Sequence, residues 1–108
     1  MMSETEFNDR IDELMRMIDE NFGEQAEDVD VEFGSGVLTL TFPNRTKAIL
    51  NRQLPVRQIW VAAKRNGYHY KFDAHRNQWL EENSGIELLL SLQNICQEQA
   101  GIDIEFQA

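Results

Sequence analysis

The 108-residue sequence holds one cysteine, Cys96, and two histidines, His69 and His75. A lone thiol excludes an intrachain disulfide and fits a reducing compartment. No apolar run is long enough to span a bilayer. Met1 leads directly into a polar capping sequence rather than a secretory leader, which fits a bacterial cytoplasmic protein or a mature form already processed; the bacterial cytoplasm is the expected location. Basic residues are nearly missing from the first third. Residues 1–32 set twelve acids against Arg10 and Arg16 alone, a net charge of −10. The remaining 76 residues carry seven acids and eight bases, a net of +1. That balance excludes nucleic acid and anionic membrane as partners and favours cations or a basic protein surface. With 42% apolar residues and two tryptophans, the chain is not disordered. Its length suits a single domain over 1–108 with a modest core.

Ser3-Glu4-Thr5-Glu6 reads as a capping box. After it, Phe7, Ile11, Leu14, Met15, Ile18 and Phe22 recur at helical spacing. Asp9, Asp12, Glu13, Asp19 and Glu20 fall on the opposite side, so the helix has a dry face and an acidic face. Gly23 is the expected stop, followed by an acidic loop from Glu24 to Asp28. Val29, Val31 and Phe33 then alternate with Asp28, Asp30 and Glu32, which predicts a half-buried strand with an acidic outer face. Gly34-Ser35-Gly36 predicts a tight turn and Val37–Phe42 the return strand. Further strands are expected over Lys47–Asn51, Gln58–Ala63, Tyr68–Phe72 and Gln78–Glu81, with Arg52–Val56 as a loop. Ser84-Gly85-Ile86-Glu87 reads as a second capping box, opening a helix that Gly101 ends. Ile102–Phe106 is then free to run extended over the surface. A run of strands flanked by helices predicts an α+β fold: two helices packed on one face of a twisted antiparallel β-sheet, the other face open to solvent.

The acidic first helix and strand, Gly36-Val37-Leu38-Thr39-Leu40, Asn51 through Ala62 and Gly67-Tyr68-His69-Tyr70 together resemble the frataxin family, in its bacterial branch. The resemblance spans nearly the whole chain. Its most specific part is the Asn-Arg-Gln-x-Pro-x-x-Gln-Ile-Trp order from Asn51 to Trp60. The resemblance implies the αβ sandwich just derived and an iron-binding protein. It also implies contact with the cysteine desulfurase and scaffold of iron–sulfur cluster assembly, as a modulator and candidate iron donor. By the same resemblance Asn51, Arg52, Gln53 and Trp60 belong to a partner-binding surface. Bacterial relatives pack several acids where the first helix ends; here Asn21 and Gly23 interrupt that run.

The candidate iron ligands are Asp12, Asp19, Glu20, Glu24, Glu27, Asp28, Asp30 and Glu32. Fe²⁺ and Fe³⁺ accept carboxylate oxygen and water, and open carboxylates without His or Cys should hold them weakly. The plainer reading is a solvated face that keeps the protein soluble. Against it, the charge spans two elements and is almost unrelieved by bases. An EF-hand is excluded, because Phe33 stands where the calcium loop needs glycine. Trp60 alternates against Ile59 and Val61, so it is expected on the open sheet face as an interaction anchor rather than a packed surface residue. His69 is expected partly buried and hydrogen-bonded, His75 solvated in a turn, Cys96 in the core, and Trp79 in either core or sheet surface. No nucleophile–base pair stands out, so a non-enzymatic module is expected. The expected state is a monomer, with iron-dependent oligomers as the alternative. Two other functions compete: a metal-independent acidic adaptor for a basic protein, and, ranked lower, a ferroxidase or iron store. The last lacks the Glu-x-x-His pairs of buried di-iron sites.

Overall fold

The computed structural model describes residues 2–107. Ser3 caps the first helix, α1 (Glu4–Gln25), its Oγ accepting from the Glu6 N–H at 3.1 Å. Glu4 and Glu6 sit in the first turn, where the helix dipole favours negative charge. Gly23 does not end the helix. It is tolerated in the last turn, and Ala26 closes the helix by donating its N–H to the Phe22 carbonyl. The acidic loop is therefore shorter than its sequence suggests.

Six antiparallel strands follow as a simple meander: β1 (Asp30–Gly34), β2 (Val37–Thr41), β3 (Lys47–Gln53), β4 (Gln58–Ala62), β5 (Gly67–Asp73) and β6 (Gln78–Glu81). The β1–β2 turn places Ser35 and Gly36 at positive φ, as a two-residue hairpin demands. β3 runs two residues past its expected end. What was expected as a loop holds a single 3-10 turn, Leu54–Val56, closed by Arg57 in the left-handed region. Phe33 is the other departure. At 51% exposure it lies at the end of the edge strand β1, beyond the reach of the core.

The second helix, α2 (Leu88–Ala100), begins later than the capping-box reading placed it. Its N-cap is Glu87, whose carboxylate accepts from the N–H groups of Leu89 and Leu90 at 2.6 and 3.1 Å. Ser84 instead shapes the preceding turn, accepting from the Ile86 N–H. Gly101 ends α2 at φ +64.

Both helices cover one sheet face. Phe7, Ile11, Met15, Ile18 and Phe22 of α1 and Leu88, Leu92 and Cys96 of α2 join Leu38, Leu40, Leu50, Ile59, Val61 and Tyr70 of the sheet in one buried core. Trp79 belongs there too, meeting Phe7 and Phe72 edge-on at centroid distances of 5.9 and 5.2 Å. Cys96 is buried as expected, and burial pushes its thiol pKa up to about 12. Among the described residues, no helix or strand covers the opposite sheet face.

The C-terminal tail after α2 is held by side-chain amides. Asn21, only 5% exposed, donates to the Gln107 carbonyl at 2.8 Å and accepts from the Gln107 N–H at 3.0 Å. One turn later Gln25 does the same with Glu105, and Gln93 of α2 donates to the Ile104 carbonyl. Residues 105 and 107 thus pair with α1 as alternate residues of a strand would pair with a sheet edge. Ile104 is buried beneath them, and Phe106 packs edge-on against Phe22.

Candidate functional site

All eight carboxylates expected to meet iron are exposed. The structure divides them. Asp12, Asp19, Glu20 and Glu24 ride on α1, in the helical layer. Asp30 and Glu32 alternate with the half-buried Val31 on β1, so they point to the open sheet face. Glu27 and Asp28 lie in the short corner between the two elements. Among the described residues, no group of three or more His, Cys, Asp or Glu side chains could hold a metal ion. Such a donor set fits an ion carried by one or two carboxylates with water completing its shell, and it does not fit a resident buried metal.

Asp12 is set apart from the rest. Its Oδ1 pairs with Arg52 Nη2 at 2.5 Å, and Arg52 Nη1 donates to Asn8 Oδ1 at 2.9 Å. The other seven acids make no ion pair among the described residues. Arg10, one of the two bases within the acidic third, turns toward the β5–β6 end of the sheet. It stacks on the Phe72 ring at 4.3 Å and donates to Asn77 Oδ1. The last turn of α1 contains no base, and there the backbone itself presents the negative end of the dipole. Asp19, Glu20, Glu24, Glu27 and Asp28 therefore add their charge at the negative end of that dipole.

The same geometry divides the expected partner-binding set between the two faces of the sheet. Residue parity along β3 puts Ala48, Leu50 and Arg52 toward the helices and Asn51 and Gln53 toward the open face. Arg52 thus braces α1 and lies on the side away from Trp60. Its stem also passes so close to Gly36 that a Cβ there would sit 3.1 Å from Arg52 Cγ. Asn51 and Gln53 do join Trp60, since Asn51 is directly opposite Trp60 and Gln53 opposite Gln58. Trp60 is 37% exposed, its Nε1 donating to Gln58 Oε1 at 2.7 Å. His69 faces Trp60 from β5 and is half-buried, its Nδ1 3.2 Å from Glu82 Oε1. Sequence reasoning missed this contact, although the strand register was its signal. Ile49, Asn51, Trp60, Ala62, Gly67 and His69 line a shallow hollow of about 240 Å³ on this face.

An antiparallel meander roofed by two helices, with acids at the end of the first helix and an exposed tryptophan on the opposite sheet face, defines a class of small αβ-sandwich proteins. The chain belongs to the frataxin family: residues 1–102 match the frataxin-like domain. It is 39% identical over 105 residues to the iron-sulfur cluster assembly protein CyaY of Pseudomonas aeruginosa, covering 97% of each chain. Its fold matches the frataxin of Psychromonas ingrahamii with a TM-score of 0.91 and 36% identity, over 99% of this chain and 100% of that one. A trimeric frataxin from the yeast Saccharomyces cerevisiae, complexed with ferrous, matches at a TM-score of 0.65 and 26% identity, over 94% and 88% of the two chains. No helix among the described residues is long and apolar enough to cross a membrane.

Proposed function

We propose that this protein serves iron–sulfur cluster assembly as a non-enzymatic module that carries ferrous iron weakly and docks on the cysteine desulfurase and scaffold. The relatives' role in cluster assembly and the ferrous complex of the yeast frataxin support this reading. The observation that carries it is the acid cluster at the C-terminal end of α1, whose last turn holds no base and where Asp19, Glu20, Glu24, Glu27 and Asp28 make no ion pair among the described residues. A hard cation gains there from several carboxylates and from the helix dipole together. Exposure keeps each gain small, so iron binds as exchangeable cargo.

Docking uses two surfaces. The acids steer the chain toward a basic partner, an effect that salt screens within about 10 Å at 0.1 M ionic strength. Trp60, Asn51 and Gln53 on the open face supply the anchor and its register. The protein acts as a regulator and candidate iron donor.

Binding of the desulfurase–scaffold complex is the test. Trp60→Ala should weaken affinity by roughly tenfold or more without altering the salt dependence. A combined charge reversal at Glu20, Glu24 and Asp28 should slow association and flatten the salt dependence. Affinity indifferent to both changes would overturn the docking reading. Docking that survives while iron makes no difference to it would favour the metal-independent adaptor. Catalysed Fe²⁺ oxidation would favour the ferroxidase. The β1 acids also have a plain structural role: charge on an exposed edge strand blocks edge-to-edge pairing.

A further inference from the structure

Trp60 and His69 are direct cross-strand partners on the open face. Their rings lie nearly parallel, 10° apart, with centroids 4.3 Å from each other. Gln58 Oε1 fixes the indole from its own strand. On the other side His69 Nδ1 meets Glu82 Oε1 at 3.2 Å, and Glu82 is fixed there because its backbone N–H donates to the His69 carbonyl at 2.9 Å. A continuous row, Gln58–Trp60–His69–Glu82, runs across this face and holds Trp60, the one large aromatic exposed there among the described residues.

We propose that His69 is a positioning residue of the docking face, holding the Trp60 indole flat for a protein partner, with protonation of His69 tightening the hold. A neutral imidazole stacks and can donate its Nδ1–H to Glu82; an imidazolium adds its charge, which attracts both the indole π-face and the Glu82 carboxylate. Imidazole is the side chain that ordinarily changes charge between about pH 5 and 8. Few other charges bear on it. On β4 its neighbours Gln58, Trp60 and Ala62 carry none. On β5 Lys71 shares the face two residues on, and after β6 Glu82 is in contact. Beyond Trp60, β3 offers the neutral Asn51, and both helices lie on the opposite face. An indole already held loses less freedom on binding, so His69 raises affinity without itself needing to touch the partner.

The claim that His69 matters for docking rests on the function proposed above; the claim that it positions Trp60 does not. Two-dimensional ¹H–¹⁵N NMR of the full chain between pH 5 and 8 tests the second. The Trp60 Nε1–H resonance should titrate in the wild type and lose that titration in His69→Gln. A Trp60 resonance equally indifferent to pH and to H69Q would overturn the proposal. Affinity for the desulfurase–scaffold complex tests the first. H69Q should bind about fivefold more weakly. His69→Phe, which keeps a ring without a charge, should recover most of the affinity at pH 7 and lose its pH dependence. Wild-type affinity in H69Q would refute the docking role. Failure of the wild type itself to bind the complex would refute the docking function, while the indole titration still decides whether His69 positions Trp60.

Discussion

Replacing Asn21 by aspartate restores an acid at the point where the acidic run of α1 breaks, and the structure makes that a costly change. The Asn21 amide donates to the carbonyls of Met17 and Gln107 at 2.7 and 2.8 Å and accepts from Gln107 and Gln25. A carboxylate keeps the accepting role but donates nothing. It loses two hydrogen bonds worth about 1 kcal/mol each, and it faces two carbonyl oxygens at contact distance in a site only 5% exposed. Desolvating an unpaired carboxylate adds a few kcal/mol more. N21D should therefore lose roughly 3–5 kcal/mol, which for a domain of about 100 residues lowers Tm by about 15 °C or more. Asn21→Ala loses all four bonds but buries no charge, so it should cost about 2–4 kcal/mol and that cost should not change with pH. The pH response separates the two variants. Burial and the facing carbonyls raise the folded-state pKa of the new carboxyl above its unfolded value. The deficit of N21D should therefore shrink as pH falls below that raised value, because a protonated carboxyl regains a donor. Urea unfolding at pH 5 and pH 8 measures both effects. A loss below about 1 kcal/mol, or one that ignores pH, would refute the tail-clamp account of Asn21.

Three further outcomes follow from other contacts. Arg52→Ala removes the hydrogen bonds to Asn8 and Asp12 and should destabilise the fold by about 2 kcal/mol, whereas Asp12→Asn should cost about 0.5–1 kcal/mol because that carboxylate is half exposed; a double-mutant cycle in urea checks their coupling. Burial raises the Glu81 pKa, but hydrogen bonds from Ser84 and Asn83 outweigh it and hold the carboxyl below its ordinary 4.5. Its stabilisation is thus present above that value and lost as pH falls through the folded-state pKa, so the stability gap between wild type and Glu81→Gln should narrow in acid unfolding below about pH 4.5. Cys96, buried and with its thiol raised to about 12, should resist thiol reagents at pH 8 in the native state and react on unfolding.

Much of this architecture is legible in the residue order. Phe7, Ile11, Met15, Ile18 and Phe22 mark the dry face of α1, and all five are fully buried. Alternation places Ile59 and Val61 inside and Trp60 outside, as found. The same rule, applied to Ala48, Leu50 and Arg52, would have turned Arg52 toward the helices; the loop expected there hid it, because β3 runs on to Gln53. The late start of α2 has a local cause, since Glu87 has two N–H groups within reach and Ser84 has a turn to close. Asn21 lay beyond any local rule. Its partner Gln107 is 86 residues away, and only the packed structure shows why an amide interrupts the acids. The carboxylates themselves were easily found, but their division between the helical layer and the open face depends on how α1 and β1 meet.

The central claim is that exchangeable iron rests on the acidic end of α1 and the corner beyond it. An anaerobic Fe²⁺ titration of ¹⁵N-labelled protein, followed by amide NMR, tests it most directly. The account predicts paramagnetic broadening that starts at Asp19–Asp28, spreads to Asp30 and Glu32 as iron is added, and reverses with a chelator. Broadening centred on His69 or His75, or none above that of free iron in solution, would contradict it.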